Sequence, residues 1–268
     1  MYKFSLLSLN TFGIPFFLGW RRLARLAEVL NSFDVKMICL QEIQQNAYIR
    51  LMASGLRNFP YHAYEKHVYA PKGGLMTFSR LPIQSRVFTP YRDRGRWWSL
   101  GFADWALYKG VLVTKVQIGK HKVRVLNTHL HANYNGSWAA ANGLARIQHK
   151  QVKEIVSLVR SQPEDALVIL CGDFNFPRQT SLYQELLSHA NLVDPLAADD
   201  CPTYKPFPLA PSKWSMSLDY LLVRVPPSQE FRLKANILPI EDSQARWPYQ
   251  RFLTDHHALR LQFDWNEE

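Results

Sequence analysis

The chain has 268 residues and a formal net charge of +10, with 47% hydrophobic and 20% charged residues. This composition argues against a disordered or fibrous chain, and no run of about eighteen apolar residues predicts a membrane-spanning helix. The charge favours an anionic partner such as nucleic acid, an acidic membrane surface or a phosphate ester, although solubility alone also explains it. Since no repeat, low-complexity block or Gly/Ser linker interrupts the chain, we predict one domain over residues 1–268.

Apolar periodicity predicts strands that alternate with helices. In chain order it predicts a strand over 2–10, a helix over 20–33, a strand over 35–42, a helix over 46–54, a strand within 73–83, a hairpin over 110–130, a helix over 138–161, a strand over 165–175, a helix over 181–190, and strands over 217–225 and 256–265. The mixture of alternation and hairpins indicates an α/β fold whose sheets contain many antiparallel pairs.

The three cysteines are few, widely spaced and outside any CxxC motif, which argues against a zinc site. Cys39 and Cys171 lie in apolar runs (MICLQ and VILCGD) and are expected to pack as small hydrophobic residues. Residues 1–10 alternate too regularly for a signal peptide. We therefore expect a reducing compartment, the cytoplasm, with peripheral contact to a membrane surface left open.

Most of the predicted strands end in an acid, an amide or a histidine. These residues are Asn10, Glu42, Asn127, His129, Asp173, Asn175, Asp219, Asp255 and His256. If the strand ends share one edge, the side chains converge in a single cleft. A carboxylate after a strand, or the turn sequence GDFN, is often only structural. The prediction of a site therefore rests on the whole set in its order.

The oxygen donors in this set suit a hard cation, Mg²⁺ or Mn²⁺. Such a cation neutralises phosphate oxygens, so a phosphate ester is the natural substrate. Histidines beside it can orient water or stabilise charge on the phosphoryl group.

Seven segments resemble, in order, the endonuclease/exonuclease/phosphatase superfamily: LNTFG, LQEI, GGLMTFSR, NTHLHANYN, GDFN, SLDYLLV and TDHHAL. The resemblance implies a four-layer α/β/β/α sandwich of two mixed sheets flanked by helices. It also implies Mg²⁺-dependent phosphoester hydrolysis. Glu42 corresponds to the main metal ligand, with Asn10 beside it and Asp255 as an additional acid near the metal. Asp173 and Asn175 correspond to the pair that orients water and holds the phosphate.

The resemblance also assigns roles to the histidines. His256 corresponds to the catalytic histidine, with Asp219 as its orienting carboxylate, and His129 to a phosphate contact. We favour His256 over Asp173 as the general base, and the sequence leaves that choice open. His257 is expected to point away from its neighbour, because side chains alternate along a strand. His131 is expected either to support His129 or to be solvated.

Three stretches, NTFGIPF, DWALYKGVL and THLHANYN, are similar to the neutral sphingomyelinase subgroup. This similarity implies that Lys109 contributes to substrate binding. Trp97 and Trp98 lie among arginines and suit a lipid–water interface, so we assign them to substrate binding at a membrane surface. For Phe16, Phe17 and Trp20, packing in the core remains an equal alternative.

We therefore expect a sphingomyelinase C-like, Mg²⁺-dependent phosphodiesterase that attacks a membrane phospholipid or sphingolipid with water in line. One alternative is a DNA or RNA endonuclease or exonuclease of the abasic-site type, with nucleic acid as the substrate. A phosphoinositide phosphatase is another. A binding protein without catalysis is disfavoured by the complete ligand set. The preferred lipid, the number of metal ions and the oligomeric state are left open.

Overall fold

The structure is a computed structural model, and it describes residues 2–14, 19–95, 107–206, 215–227, 231–246 and 251–265. Two β-sheets form its centre. The first is assembled from β1 (Tyr2–Asn10), β2 (Met37–Gln41), β3 (Tyr61–Ala63), β4 (Met76–Ser79), β10 (Phe231–Leu238) and β11 (Ala258–Trp265). Its strand order is β10-β11-β1-β2-β4-β3. Only β1 and β2 pair in parallel among these strands, so the sheet is mixed.

The second sheet has five strands in chain order. They are β5 (Ser85–Pro90), β6 (Gly110–Ile118), β7 (His121–His129), β8 (Ala166–Asp173) and β9 (Asp219–Arg224). The β7–β8 pair is parallel and its other pairs are antiparallel. The predicted hairpin over 110–130 is confirmed as β6 and β7, with Gly119 at a positive φ of 55° in the turn.

Helices cover the outer faces of both sheets. They are α1 (Gly19–Asn31), α2 (Asn46–Gly55), α3 (Gly143–Arg160) and α4 (Ser181–Ala190). Apolar side chains of α1 and α2 pack on the first sheet, and those of α3 and α4 pack on the second. A third apolar cluster lies between the sheets and includes Cys39 and Cys171, as expected. The predicted four-layer α/β/β/α sandwich is confirmed.

The predicted helix over residues 138–161 begins later than the sequence suggested. The Asn142 side chain accepts a hydrogen bond from the backbone N–H of Leu144 at 3.0 Å and caps α3 at its N-terminus. Asparagine is a preferred N-cap residue, so the apolar pattern before it belongs to the preceding loop. Strands β3, β5 and β10 were not predicted. β5 is largely exposed and β10 only partly buried, which leaves them with a weak apolar signal.

Asn127 is buried between the sheets and does not reach the strand edge where the other polar residues gather. Its Oδ1 accepts from Gln41 Nε2 at 2.7 Å, and its Nδ2 donates to the carbonyls of Leu40 and Met76 at 3.1 Å each. Asn127 therefore satisfies backbone and side-chain groups across the sheet interface. Among the helices that the structure describes, none is long and apolar enough to cross a membrane.

Candidate active site

The polar strand ends converge at one edge of the sandwich. Parallel pairing brings the carboxyl ends of β1 and β2 together, and likewise those of β7 and β8. Asp219 begins β9 opposite Asp173, because these two strands run antiparallel. Glu42 and Asn175 follow their strands in the left-handed region, with φ of 60° and 54°. This conformation is uncommon for residues other than glycine and often marks functional sites.

Asn10 bridges two carboxylates at the centre of the cleft. Its Nδ2 donates to Glu42 Oε1 at 3.1 Å and to Asp173 Oδ2 at 3.0 Å, while its Oδ1 accepts from the backbone N–H of Phe12 at 3.0 Å. Gln44 Nε2 donates to the other oxygen of Glu42 at 3.2 Å. In this arrangement the amide nitrogen of Asn10 faces the carboxylates. Its predicted role as an oxygen ligand would need the amide to turn over.

Two histidines face Asp173, His129 from the end of β7 and His256 from the segment just before β11. His129 Nε2 lies 3.6 Å from Asp173 Oδ2, and His256 Nε2 lies 3.8 Å from the same oxygen. The other ring nitrogen of His256, Nδ1, lies 2.8 Å from Asp219 Oδ2. Burial opposes the charged ring, but Asp219 and Asp255 outweigh it and hold the pKa of His256 well above its usual value.

Lys109, just before β6, is a cation held beside the carboxylates by a carbonyl in the loop after β7. Lys109 is fully buried, and its Nζ donates to the carbonyl of Leu130 at 2.6 Å. Asn175 Nδ2 donates to the same carbonyl at 3.1 Å, and its backbone N–H donates to Asp173 Oδ1 at 2.9 Å. The structure thus brings Lys109 into the cleft, close enough for its charge to favour the ionised forms of Glu42 and Asp173.

The cleft concentrates negative charge. Burial raises the pKa of Asp173 to about 6, and the neighbouring Asp219 adds to the rise. Burial also raises the pKa of Asp255 to about 6 and moves the pKa of Glu42 upward. Asp255 Oδ1 lies 3.8 Å from His256 Nε2. Burial and neighbouring carboxylates disfavour the ionised forms of these groups, and a bound cation would stabilise those forms.

Two overlapping clusters bring possible ligand atoms within 4.8 Å of one another. One contains Glu42, His129 and Asp173, and the other contains Asp173, Asp219 and His256. Because these donors are mainly carboxylate oxygens, they fit a hard divalent cation such as Mg²⁺. Asp255 lies near the cleft but belongs to neither cluster. Of the predicted metal ligands, the structure therefore places Glu42 and Asn10 together beside Asp173, and Asp255 next to His256.

Supporting residues that the sequence did not single out hold this arrangement in place. Thr203 Oγ1 donates to Asp219 Oδ2 at 2.7 Å and accepts from the backbone N–H of Asp219 at 2.9 Å. Thr254 Oγ1 donates to the carbonyl of Asn10 at 2.6 Å. Arg22 donates to the carbonyls of Thr11, Phe12 and Leu253, which joins the loops after β1 and before β11. Only Thr254 lay within a motif that the sequence marked, TDHHAL.

A pocket of about 830 Å³ opens beside His256. Its walls include Asp255 and His257, an apolar part around Ile237, Ile240 and Phe252, and the cations Lys205 and Arg251. The segment 201–206 forms one side, and the Tyr204 ring lies 5.1 Å from that of His256. This segment therefore packs directly against the catalytic candidates. His257 lines the same pocket as His256, and the expectation that its side chain points away from that of His256 stays a prediction.

His131 is fully buried, which excludes the solvated alternative and leaves support of His129 as a prediction. Its backbone N–H donates to Gln151 Oε1 at 3.0 Å. A Cβ on Gly95 would lie 2.8 Å from the His131 ring, so the ring packs beneath that loop. Trp20 is 52% exposed, which rules out the core for this residue. Trp97, Trp98, Phe16 and Phe17 lie outside the described residues, and their assignments stay predictions.

Comparison with known proteins identifies relatives of this chain. A model described as "Endonuclease/Exonuclease/phosphatase family" matches residues 7–256. A candidate neutral sphingomyelinase of Drosophila melanogaster is 27% identical over 201 residues, covering 74% of this chain and 45% of the relative. An inositol phosphosphingolipids phospholipase C of Schizosaccharomyces pombe is 31% identical over 199 residues, covering 72% and 45%. The chain thus spans less than half of these relatives.

Solved structures share the fold. Beta toxin from Staphylococcus aureus matches with a TM-score of 0.76 and 20% identity, covering 96% of this chain and 99% of that chain. A mutant of beta toxin with bound magnesium ions matches with a TM-score of 0.71 and 19% identity. The match covers 97% of this chain and 99% of that chain. D. rerio TDP2 complexed with a single-strand DNA product matches with a TM-score of 0.75 and 16% identity, covering 98% and 99%.

Proposed function

Because the chain belongs to the Endonuclease/Exonuclease/phosphatase family, we propose that it hydrolyses a phosphodiester bond in a membrane phospholipid or sphingolipid, releasing a phosphorylated head group. The observation that carries the proposal is the meeting of Glu42, Asp173 and the His256–Asp219 pair in one cleft. Two of its relatives are named as acting on sphingolipids, which supports a lipid substrate.

A divalent cation would be held by Glu42, with Asn10 and Asp255 nearby, and would neutralise charge on the phosphate oxygens. Mg²⁺ suits the oxygen donors best, and Mn²⁺ is the alternative. The magnesium ions in a beta toxin structure support this choice of metal. The buried carboxylates with raised pKa values support a cation of this charge.

The remaining roles follow from which atoms face the cleft. Asp219 accepts from Nδ1 of His256, which leaves Nε2 directed toward Asp173. A bound cation would offset the carboxylates that raise the pKa of His256 and so allow Nε2 to take a proton from water. The backbone of Asn175 holds one oxygen of Asp173, so the other is oriented toward the same space. Lys109 and His129 also lie beside Asp173 and would stabilise the phosphate charge that grows during in-line attack.

The pocket beside His256 supports a substrate that continues beyond the phosphate. It combines an apolar wall with charged side chains of both signs, Lys205, Arg251, Glu241 and Asp255, which suits an amphiphilic molecule better than a small phosphate ester. A nucleic acid is the second candidate, because TDP2 has been solved on the same fold with a DNA product and the chain carries a net charge of +10.

The decisive experiment presents sphingomyelin vesicles, phosphatidylcholine vesicles, phosphoinositides and abasic-site DNA to the protein under identical Mg²⁺ conditions. We expect cleavage of a lipid with release of its phosphorylated head group. Rapid DNA cleavage with inert lipids would overturn the lipid assignment and favour the nuclease.

We further propose that residues 1–268 act as one catalytic domain in the cytoplasm and associate peripherally with a membrane. The family match over residues 7–256 supports the first part, and the exposed thiol of Cys201 is consistent with a reducing compartment. Fractionation of cells expressing the tagged protein tests the location. Recovery only from the secreted fraction would contradict it.

A further inference from the structure

A loop beside the cleft presents apolar side chains to solvent. Residues 65–72 connect β3 to β4, and Val68 and Tyr69 at the tip are 82% and 45% exposed. Among the large hydrophobic residues that the structure describes as exposed, Val68 is the most exposed. Trp20, at the start of α1, is also exposed, and its ring lies 6.2 Å from that of Tyr48 on α2. We call residues 20–21, 46–50 and 65–72 the Val68 surface.

The Val68 surface is rigidly held. Asn46, the first residue of α2, donates through Nδ2 to the carbonyls of Val68 at 2.9 Å and His67 at 3.3 Å. Its backbone N–H donates to the carbonyl of Tyr69 at 2.7 Å. The backbone N–H of Lys72 closes the loop on the carbonyl of Glu65 at 2.8 Å. The exposed tip is therefore fixed outward by its own backbone contacts, so its exposure is built into the fold.

The same loop reaches the candidate active site. Its chain continues into Gly74, whose carbonyl accepts from the N–H of Ile43 at 2.9 Å, and a Cβ on Gly74 would lie 3.3 Å from Cα of Glu42. On the other side, the His67 ring lies 5.4 Å from that of Tyr108, the residue before Lys109. A partner that contacts the loop tip therefore meets the molecule at the rim of the cleft.

The charged residues of the Val68 surface indicate which class of partner it can bind. Exposed cations flank the apolar tip: Arg21, Arg50 and Lys66. The single acid in the Val68 surface, Glu65, lies 3.8 Å from Lys72 and is largely neutralised by it. Apolar and aromatic residues surrounded by cations match the interface of a membrane with anionic lipids, where the rings reach headgroup depth and the cations meet phosphates.

We propose that the Val68 surface docks the protein on the anionic leaflet of a phospholipid membrane and so places the cleft against the lipid. The inference rests on the proposed function, since it identifies the membrane in which the substrate lies. Val68 and Tyr69 enter the interface, Trp20 lies at its edge, and the cations hold the surface through lipid phosphates.

The test measures binding without turnover. The full chain is sedimented with sucrose-loaded vesicles of phosphatidylcholine, with and without phosphatidylserine, in the presence of a chelator of divalent ions. Val68→Asp combined with Tyr69→Ser should weaken binding at least about tenfold, because an apolar contact is lost and a like charge is added. Lys66→Gln should weaken binding to vesicles that contain phosphatidylserine roughly fivefold, and should change binding to pure phosphatidylcholine vesicles little.

A matched control lies away from the cleft. Val193 is 59% exposed and pairs with Val223, four residues along β9 from Asp219 and therefore about 13 Å from the site edge. Val193→Asp should leave vesicle binding unchanged. Val68→Trp should strengthen binding, which keeps the proposal testable if the double variant folds poorly. Equal losses from both valine sites, or unchanged binding for all Val68 variants, would overturn the proposal.

Two further results separate this inference from the proposed function. Unchanged vesicle binding together with weaker binding of single-stranded DNA by the Val68 variants would overturn membrane docking and assign the surface to nucleic acid. If the wild-type chain hydrolyses no lipid yet binds vesicles through Val68, the proposed function fails and docking stands. If it hydrolyses lipid in micelles and the Val68 variants bind vesicles normally, docking fails and the function stands.

Discussion

Nδ1 of His256 lies 2.8 Å from Oδ2 of Asp219, and that same oxygen accepts a hydrogen bond from Thr203 Oγ1 at 2.7 Å. The carboxylate therefore orients the imidazole, and the threonine orients the carboxylate. Because Nδ1 is engaged, Nε2 is the ring atom directed toward Asp173. This chain of three residues fixes the orientation of the His256 ring at one face of the cleft, and each of its hydrogen bonds can be tested.

His256→Ala should lower kcat on a phosphodiester substrate by about 10²–10⁴-fold, the usual contribution of a positioned acid or base. The fold and Mg²⁺ affinity should be largely retained, because His256 is not among the proposed metal ligands. Steady-state kinetics and calorimetric Mg²⁺ titration measure both. His257→Ala is the neighbouring control and should have a much smaller effect on kcat. Near-normal turnover of the His256 variant would remove it from the mechanism.

Thr203→Val should reduce kcat about tenfold with little change in KM, because a hydrogen bond to a charged group is worth about 1.5–3 kcal/mol and part of it orients His256. Thr203→Ser keeps the hydroxyl and should restore activity. The pH dependence of kcat should also shift in the valine variant but not in the serine variant. If valine and serine behave alike, Thr203 acts only through packing.

Glu42→Gln should weaken Mg²⁺ binding strongly, because it removes the charge of the principal proposed ligand while keeping its shape. In the wild-type chain, saturating Mg²⁺ should raise the melting temperature. The stabilisation is about 2.7 kcal/mol when the free ion is at a hundred times its Kd. Thermal unfolding with and without the ion tests this. The same rise in the Glu42 variant would place the ion elsewhere.

Mg²⁺ affinity should depend on pH near the raised carboxyl pKa values. Burial raises the pKa of Asp173 and Asp255 to about 6, so protons occupy these carboxylates below that pH and compete with the cation. Affinity should therefore increase as the pH rises through about 6 and level off above it. Calorimetry on either side of this value measures the change. A flat profile would mean that neither carboxyl is coupled to the metal.

Asn127→Ala should destabilise the fold by about 2–4 kcal/mol, because it removes three buried hydrogen bonds, one from Gln41 Nε2 and two to the carbonyls of Leu40 and Met76. Denaturant unfolding monitored by circular dichroism measures the loss. Gln184→Ala on the exposed face of α4 is a suitable control and should change stability by less than about 0.5 kcal/mol. A small effect of Asn127→Ala would mean that the sheet interface rearranges around the cavity.

The sequence by itself determined the α/β class and the identity of the polar residues at the strand ends, and its resemblance to the superfamily implied the four-layer sandwich. Continuous apolar runs such as VILCGD predict buried strands, and carboxylate or amide residues at their ends are visible without coordinates. Asn10, Glu42, Asp173, Asp219 and His256 were identified in this way, and the structure brings them together.

Tertiary structure alone decided which of these polar residues enter the cleft and what supports them. Asn127, like Asn10, is an amide residue near the end of a predicted strand. Its side chain points between the sheets, where it forms hydrogen bonds with Gln41 and two backbone carbonyls. Thr203 contacts Asp219 across 16 positions and Thr254 contacts Asn10 across 244, distances over which no local pattern carries information. The exposure of Val68 likewise depends on the hydrogen bond that the Asn46 side chain donates to its carbonyl, because burial is a property of the packed chain and not of its local sequence.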